Sequence, residues 1–324
     1  MRNKILSLIG ACLALLGSAN AAEWPDKPIK IIVPAAPGGA ADTLARLIGK
    51  EISDKLGQPV VIDNRAGAAA IVGTQALARS PNDGYTIGMV FTGAMAINPA
   101  MYKPLPYDPV KDFDPIAMIS ASPLVLVASQ KSDIKSLGDL VQKAKNEPGK
   151  YSYGSAGIGS TQRLSMELLK ASYNIDMLHV PYKGSSPALI DLQAGLITTL
   201  SDNAITLIPL IQAGQVTPLA VESPRRLSSL PDVPTTTELG FPKFQASGWY
   251  GMVAPAGAPS IAIKKLHAVI DGFLRSPAFN QTLSQQGMEP QPGSVNDFKA
   301  FLAAERIKWA SAVEAAKIPP QELR

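Results

Sequence analysis

Residues 29–46 constrain the fold more than any other stretch of the chain. They read Ile-Lys-Ile-Ile-Val-Pro-Ala-Ala-Pro-Gly-Gly-Ala-Ala-Asp-Thr-Leu-Ala-Arg. The apolar start predicts a buried strand, the Pro- and Gly-containing middle predicts a turn, and the remainder has helical spacing. A strand that turns directly into a helix exposes the unpaired N–H groups and the positive dipole end of that helix. Such a loop is suited to hold an anion.

The first residues have the pattern of a secretory signal peptide. Arg2 and Lys4 precede an apolar run and a small-residue cleavage pattern. We therefore predict that residues 1–21 are removed on secretion and that the mature protein is periplasmic. An alternative is cleavage before Cys12 for attachment of a lipid. Since Cys12 is the one cysteine of the sequence, we expect the mature chain to have no disulfide and no thiolate chemistry.

Composition bounds the class of protein. The 324 residues are 46% hydrophobic and 17% charged, which is typical of a globular chain long enough for two domains. The formal net charge is +4, and loss of Arg2 and Lys4 lowers it to +2. The sequence contains no run of five basic residues. Binding of nucleic acid or of a membrane surface by charge is therefore not indicated.

The mature chain alternates strands and helices. Up to residue 91 the order is strand, helix, strand, helix, strand, which predicts a parallel sheet with helices on both faces. The alternation starts again after apolar runs at 116–119 and 124–128, where we expect the chain to cross into a second domain. The strand predicted at 249–254 is followed only by helices, so we expect it to return to the first sheet.

These crossings predict the domain boundaries. Residues 22–123 plus 246–324 would form a first, discontinuous lobe, and residues 124–245 would form a second lobe. The two crossings would form a hinge. Residues 98–115, rich in proline and acid, are expected to be irregular surface.

Two loops have the strand-to-helix form most clearly. The first, residues 35–42, lacks the G-x-G-x-x-G spacing of dinucleotide sites and the G-K-[ST] ending of a P-loop. It predicts a cradle for a small anion, or a tight turn in which Asp42 caps the helix. The second, residues 154–161, adds serine and threonine hydroxyls. Its alternative is a simple N-cap at Ser160 or Thr161.

Weaker signals come later in the chain. A third loop, residues 180–187, supplies the cation of Lys183, for which a solvated surface lysine is the alternative. Trp249 and Tyr250 begin the return strand. Both are interpreted as core residues, or one of them as an apolar wall for a ligand if the strand borders a cleft.

Familiar catalytic patterns are missing from the sequence. It contains no G-x-S-x-G elbow, and neither His179 nor His267 has a local partner of the H-E-x-x-H or H-x-H kind. His179 is interpreted as structural. No carboxylates are paired around a glycine-rich loop in a way that indicates acid–base work. We therefore predict that the protein is not an enzyme and that it uses no metal and no cofactor.

A series of motifs stands in order along the whole mature chain. They lie at residues 34–42, 64–73, 81–86, 111–116, 153–160, 180–184, 230–235 and 249–255. Together they resemble the extracytoplasmic solute receptors of tripartite tricarboxylate transporters, the Bug-type binding proteins. The resemblance implies an α/β fold of the type II periplasmic-binding-protein kind. In that fold each of two lobes has a central mixed, mostly parallel sheet flanked by helices, and the ligand cleft lies between the lobes.

The resemblance also implies candidate ligand-binding residues, carried over by position. They are Gly38, Gly39 and Asp42 in the first loop, Thr92 and Gly93 after the third strand, and Gly157, Gly159, Ser160 and Asp202 in the second lobe. To these we add neighbours in the three loops and the return strand, namely Ala40, Ala41, Ser155, Thr161, Tyr182, Lys183 and Trp249. No metal-binding and no catalytic residue is predicted.

Three departures from the family pattern bear on the ligand. Ala35 stands where an aromatic residue is frequent, Ala41 where a threonine is usual, and Arg163 where a histidine is frequent. Ala35 would widen the ligand pocket, and Ala41 would remove a hydroxyl from it. Arg163 would pair with a second carboxylate of the ligand if it faces the cleft. The alternative is an exposed helix residue.

The function implied by the resemblance is capture of a small organic carboxylate. Backbone amides and ordered water would hold the anion, lobe closure would trap it, and the closed form would deliver it to the membrane subunits of a tripartite transporter. We expect a monomer without nucleic-acid partners. The alternatives are a ligand-sensing receptor for a signalling partner and an enzyme acting on a small anionic substrate.

Asp42 is the difficulty in the first loop, because its negative charge lies close to the proposed anion. We expect Asp42 to cap the helix and to orient the loop or its waters, while the amides of residues 39–41 hold the ligand.

Overall fold

The computed structural model of the chain describes residues 24–157, 159–182, 185–285, 287–315 and 317–322, with the backbone alone at position 186. The predicted leader with Cys12, and Lys183 of the third loop, lie outside these residues.

The described residues alternate strands and helices up to the last three helices. The strands are β1 (Ile29–Val33), β2 (Val60–Asn64), β3 (Thr86–Phe91), β4 (Phe113–Ser129), β5 (Ser152–Ser155), β6 (Leu178–Pro181), β7 (Thr199–Asn203), β8 (Val216–Val221), β9 (Ser247–Pro255) and β10 (Glu289–Pro290). The helices are α1 (Ala40–Leu56), α2 (Ile71–Ala78), α3 (Asn98–Met101), α4 (Leu137–Asn146), α5 (Thr161–Tyr173), α6 (Ser185–Ala194), α7 (Ala204–Gln212), α8 (Ser260–Leu274), α9 (Pro277–Gln285) and α10 (Val295–Ala315). A 3-10 turn (Ala68–Ala70) precedes α2, and a π-helical turn (Gly93–Ile97) precedes α3.

The strands form a mixed sheet in the order β2-β1-β3-β9-β4-β7-β5-β6, with β8 and β10 also paired to β4. Pairing is parallel within β2-β1-β3 and within β7-β5-β6. It is antiparallel wherever β9 or β4 takes part. We term β2-β1-β3-β9 with residues 113–123 of β4 the first sheet, and residues 124–129 of β4 with β8, β7, β5 and β6 the second sheet. The predicted α/β class is confirmed, and so is the return of residues 249–254 to the first sheet.

Strand β4 runs through both sheets without a break. Its residues up to Pro123 pair with β9, and from Leu124 onward it pairs with β7 and β8. The apolar runs at 116–119 and 124–128 indicate the strand that crosses between the domains, and β4 is that strand; that residues 120–123 keep its pairing has no signal in the sequence. Ser120 and Ser122 are buried, and their backbone lies in register with β9 because buried N–H and C=O groups require partners. The two-residue strand β10 was also missed, since so short a run has no periodicity.

Helix α1 follows directly from the opening stretch of the sequence. Leu44, Ile48 and Ile52 recur every four residues and are fully buried. The helix ends at Gly57, whose φ of 71° is left-handed and whose N–H donates to the carbonyl of Ser53. The N-terminus of α1 is thereby fixed at the carboxyl end of β1.

Helices cover both faces of each sheet, as the alternation predicts. On the first sheet, α1 and α8 pack on one face and α10 packs on the other; on the second, α4 and α5 lie opposite α6 and α7. Buried representatives of the four layers are Ile48 and Ile270, Phe298 and Trp309, Leu140 and Leu169, and Leu192 and Leu207. Within the described ranges, no helix has the length and apolar character required to cross a bilayer.

Two glycines in helices test this packing. A Cβ on Gly73 of α2 would lie 2.6 Å from the carbonyl oxygen of Arg65 and from Cα of Pro34, which are rigid backbone atoms. Gly73→Ala is expected to lower the free energy of unfolding by about 1–3 kcal/mol in urea denaturation. Gly272→Ala in α8 is the control, because a Cβ there meets no atom within 4 Å. It should raise stability by about 0.5–1 kcal/mol. Equal stability of the two variants would contradict the packing of α2 on β1.

Candidate functional site

The first loop connects β1 to α1 and is built on its glycines. Gly38 has a φ of 85°, and Gly39 is the extended N-cap residue of α1 with no side chain to cap it. Asp42 lies in the first turn of α1 and does not cap the helix; its Oδ2 reaches back and accepts a hydrogen bond from the N–H of Gly38 at 2.9 Å. The expectation that Asp42 orients this loop is therefore consistent with its contacts.

The charge of Asp42 is neutralised within the first loop. Oδ2 also accepts from Nε of Arg46 at 3.0 Å, and the Asp42 side chain is buried. The bonds from Arg46 and Gly38 hold the pKa of the Asp42 carboxyl below its ordinary value. Nδ2 of Asn64 donates to the carbonyl of Ala35 at 3.2 Å, which ties the loop to β2. Arg46 thus offsets the negative charge beside the amides of residues 39–41, while Oδ1 of Asp42 is buried without a hydrogen-bond partner in the described part of the chain.

Thr92 and Gly93 follow β3 at the same edge of the first sheet. The Thr92 side chain is buried, and its Oγ1 accepts from the N–H of Trp249 at 2.9 Å. That bond joins the end of β3 to β9. Gly93 opens the π-helical turn. The candidate role of this pair toward a ligand stays a prediction.

The second loop connects β5 to α5. Gly157 has a φ of 131°, and its carbonyl accepts from Oγ of Ser160 at 2.8 Å. Ser160 is the N-cap residue of α5, and its Oγ accepts from the N–H of Arg163 at 3.3 Å. The predicted N-cap at Ser160 is therefore present, while Thr161 is the first residue of the helix. This loop has the same form as the first, a glycine in the left-handed region followed by a helix N-terminus.

His179 supports the second loop from β6. Ser155 is buried, and its Oγ lies 2.7 Å from Nε2 of His179. The imidazole stacks on the ring of Tyr153 with centroids 5.0 Å apart. Burial, and then the positive charge of Arg163, lower the pKa of His179 to about 4. His179 is thus neutral near pH 7 and holds a structural position, as interpreted from the sequence.

Arg163 is predicted either to face the cleft or to be an exposed helix residue, and its surroundings match neither prediction in full. Its side chain is 17% exposed, so it is not an open surface residue, and its Nε lies 3.9 Å from Oε1 of Glu167. Glu167 also accepts from the hydroxyl of Tyr153 at 2.6 Å. Arg163 therefore belongs to the polar cluster that flanks β5 and His179. Pairing with a second carboxylate stays a prediction.

Asp202 is the next-to-last residue of β7 and lies near the first residues of α5 and α6. Its Oδ1 accepts from Nε2 of Gln162 in α5 at 2.9 Å and from the N–H of Asn203 at 2.7 Å. Nε2 of Gln162 also reaches Oγ of Ser185, the first residue of α6, at 3.4 Å. Oδ2 of Asp202 is buried and has no hydrogen-bond partner in the described part of the chain. Burial raises the pKa of this carboxyl. Gln162 and Ser185 were missed from the sequence, although each lies within the predicted loops or beside them.

Tyr182 turns away from the second loop. Its hydroxyl donates to Oδ2 of Asp191 in α6 at 2.6 Å, while its N–H donates to the carbonyl of Ser155 at 2.9 Å. Burial and the charge of Asp191 raise the pKa of Tyr182 to about 12. The backbone of Tyr182, rather than its ring, adjoins the second loop, because a Cβ on Gly157 would lie 3.7 Å from the Tyr182 carbonyl oxygen.

Trp249 is a core residue. Its side chain is fully buried, its ring lies 5.5 Å from that of Phe301, and its Nε1 donates to Oε2 of Glu305 at 2.9 Å. The next residue, Tyr250, points to the opposite face of β9, since side chains alternate along a strand. Its ring lies 6.2 Å from that of Phe91. Of the two interpretations offered for Trp249, core packing is the one its contacts support.

Tyr250 packs on the face of the first sheet that carries α1 and α8, next to Phe91. Burial, and then the negative charge of Asp202, raise the pKa of Tyr250 to about 12. Asp202 lies in the second sheet, so this influence acts across the junction of the two sheets. The second loop approaches the residue after α3 at Gly159, where an added Cβ would lie 3.8 Å from the hydroxyl oxygen of Tyr102. That the first and second loops face one another stays a prediction. Among the described residues, no group of three potential metal ligands occurs.

The role of Trp249 gives a direct test. Trp249→Phe removes the indole donor to buried Glu305 and is expected to lower the free energy of unfolding by about 1–3 kcal/mol in urea denaturation. Trp24→Phe is the matched control, because Nε1 of Trp24 finds no partner within the described ranges. The control should cost less than Trp249→Phe. A Trp249→Phe protein that is as stable as the control would contradict the core assignment.

The chain is similar to known transport receptors along most of its length. The profile of the "Tripartite tricarboxylate transporter family receptor" matches residues 44–318. Protein BugT of Bordetella pertussis is 35% identical over 314 residues, which cover 96% of this chain and 96% of BugT. Among solved structures, R. palustris Rpa4515 with adipate is 35% identical with a TM-score of 0.82, covering 92% of this chain and 100% of that one. MatC from Rhodopseudomonas palustris with bound malate is 30% identical with a TM-score of 0.77, covering 90% and 100%.

The relative and the two solved structures each cover at least 90% of this chain. They confirm the predicted resemblance to Bug-type receptors and the two-lobed periplasmic-binding-protein fold. The chain belongs to the tripartite tricarboxylate transporter receptor family.

Proposed function

We propose that this protein is a periplasmic receptor that captures a small organic carboxylate between two lobes. The observation that carries the proposal is the pair of similar loops, one on each sheet. Each joins a strand to a helix N-terminus through a glycine with positive φ, Gly38 in one and Gly157 in the other. Two helix N-termini on opposite sides of a cleft offer N–H donors and favourable dipoles to one bound anion. The neutralisation of Asp42 by Arg46 keeps the first loop compatible with negative charge.

The hydrogen-bond donors differ between the two loops. The first offers the amides of residues 39–41 and no hydroxyl. The second offers the amides near Gly159 and the hydroxyl of Thr161, beside a Ser160 hydroxyl that already donates to Gly157. We propose that a carboxylate is held mainly by backbone amides, with ordered water completing its shell.

Capture would occur by movement of the lobes about the strands they share. We propose the boundaries predicted from the sequence, residues 22–123 plus 246–324 for the first lobe and 124–245 for the second. The change of partners along β4 between Pro123 and Leu124 supports the first boundary. A ligand that binds the closed form better would shift the population toward it. The closed form would then deliver the ligand to the membrane subunits of a tripartite transporter.

The chemical class of ligand rests on chemistry and on relatives. Two related structures carry adipate and malate, both dicarboxylates. The family is one of transport receptors, which argues against the alternative of an enzyme. A sensory receptor that presents its closed form to a signalling partner would use the same cleft, and a pull-down of the partner separates it from a transport receptor.

A thermal-shift screen of the mature protein against a panel of carboxylates tests the ligand class. At about 100 times the dissociation constant, a ligand that binds only the native state adds roughly 2.7 kcal/mol to the free energy of unfolding. We expect at least one mono- or dicarboxylate to raise the melting temperature and neutral sugars to leave it unchanged. Stabilisation by sugars or by cations alone would contradict the proposal.

Ser160→Asp tests the place of the anion. Asp is a good N-cap residue, so α5 should still form, but its charge would repel a carboxylate and weaken binding by at least ~10-fold. Ser136→Asp is the matched control, because Ser136 caps α4 in the same way, accepting from the N–H of Asp139 at 3.1 Å. Isothermal titration should show near-normal affinity in the control. Unchanged affinity in Ser160→Asp would place the anion elsewhere.

A further inference from the structure

Glu222 lies where the chain passes between the two sheets. It directly follows β8, and its N–H donates to the carbonyl of Leu124 at 2.8 Å. Its own carbonyl accepts from the N–H of Ala246 at 3.1 Å, and the N–H of Leu124 donates to the carbonyl of Ala246 at 3.1 Å. Leu124 is the residue at which β4 enters the second sheet, and Ala246 immediately precedes β9. Three backbone segments are therefore joined at Glu222.

The Glu222 side chain reaches the elements that carry candidate ligand residues. It is 1% exposed, and its two carboxyl oxygens accept separately from the hydroxyls of Ser165 and Ser201. Ser165 lies in α5, one turn beyond the second loop, and Ser201 directly precedes Asp202 in β7. One buried carboxyl thus fixes α5 and β7 relative to the crossing strands.

Charged groups share a cavity with Glu222. A cavity of about 150 Å³ is lined by Glu222, by Lys308 of α10, by Glu289 of β10 and by Arg225 of the loop after β8. Lys308 pairs with Glu305, also of α10, with Nζ 3.2 Å from Oε1. α5 and β7 present hydroxyls to Glu222. Lys308 belongs to α10, which packs on the first sheet, whereas Glu222 follows β8 of the second sheet. The cavity thus places a cation of the first lobe near a carboxyl of the second lobe.

We propose that Glu222 is a positioning residue whose protonation state sets the angle between the two lobes, and with it the alignment of the second loop and Asp202 against the first loop. The importance of that alignment for a ligand rests on the proposed function. The movement itself requires no ligand.

The electrostatics give this residue a charge change near neutral pH. Burial raises the pKa of Glu222 from 4.5 to about 7. Below that pH the neutral acid needs no counter-charge. Above it, the carboxylate attracts Lys308 across the cavity and competes with Glu305 for it. Since the native state holds this proton more tightly than the unfolded state, Glu222 lowers the free energy of unfolding as the pH rises from about 4.5 to about 7.

Distance measurement between spin labels tests the proposal without a ligand. The chain would be expressed with its leader, with Cys12→Ser, and with labels at Val72→Cys and Leu196→Cys, whose native side chains are 47% and 71% exposed. We expect the inter-label distance to differ between about pH 5.5 and about pH 8.5, with a midpoint near that of the Glu222 carboxyl. Glu222→Gln should hold the low-pH distance at both values. Retention of the full pH response in Glu222→Gln would overturn the proposal, as would its absence from the parent protein.

Two further variants guard against a folding defect in Glu222→Gln. Lys308→Met leaves Glu222 intact and should remove the pH response, since the carboxylate then has no cation of the first lobe to attract; Arg225, the other cation on the cavity, lies in the second lobe with Glu222. Glu289→Gln, on the same cavity but not bonded to either serine, should retain the response. A Lys308→Met protein that still responds fully overturns the proposal. If no carboxylate binds but the inter-label distance responds to pH as expected, the proposed function fails and the role of Glu222 stands. If a carboxylate binds but the distance does not respond to pH, only the role of Glu222 is overturned.

Discussion

The backbone hydrogen bonds of β4 are the constraint on which the rest of the structure depends. This strand spans 17 residues and pairs with β9 in its first part and with β7 and β8 in its second. Because buried N–H and C=O groups need partners, the two sheets cannot separate without breaking a continuous ladder. They can twist about it. The proposed movement of the lobes would be such a twist near Leu124, where β4 changes partners and Glu222 binds.

The two candidate loops manage charge in different ways. In the first, the one acidic group, Asp42, is neutralised by Arg46 and by its bond to the Gly38 amide. In the second, burial keeps His179 neutral. Nε2 of His179 lies within hydrogen-bond distance of Oγ of Ser155. Neither loop commits a side-chain cation to the cleft among its described residues. The field at the cleft is therefore dominated by helix N-termini, which suits a small anion that must also be released.

Much of the fold could be predicted from the sequence because the opening stretch and its successors are strongly periodic. The spacing of Leu44, Ile48 and Ile52 predicts α1. The apolar run at 249–254 is followed only by predicted helices, so as a strand it has to pair with strands that precede it. The apolar runs at 116–119 and 124–128 indicate a crossing strand, but the pattern does not show that the residues between them belong to it, since Ser120 and Ser122 are polar. In the fold the backbone of both serines pairs with β9.

The candidate site was less accessible to prediction. Alternation along β9 indicates that Trp249 and Tyr250 face opposite ways, but the pattern does not say which face meets the cleft; α10 decides this by covering Trp249. Glu222 had no sequence signal at all. Its role depends on Ser165 and Ser201, which are distant along the chain and contact it only in the fold.

The central claim is that the first and second loops together hold a carboxylate. A crystal structure of the mature protein with a carboxylate identified by binding tests it most directly. The account predicts that the carboxylate group lies within hydrogen-bond distance of the amides of residues 39–41, with Ser160 or Thr161 on its other side. A carboxylate bound away from both loops, for example in the surface groove beside Lys55 and Phe273 between α1 and α8, would contradict it.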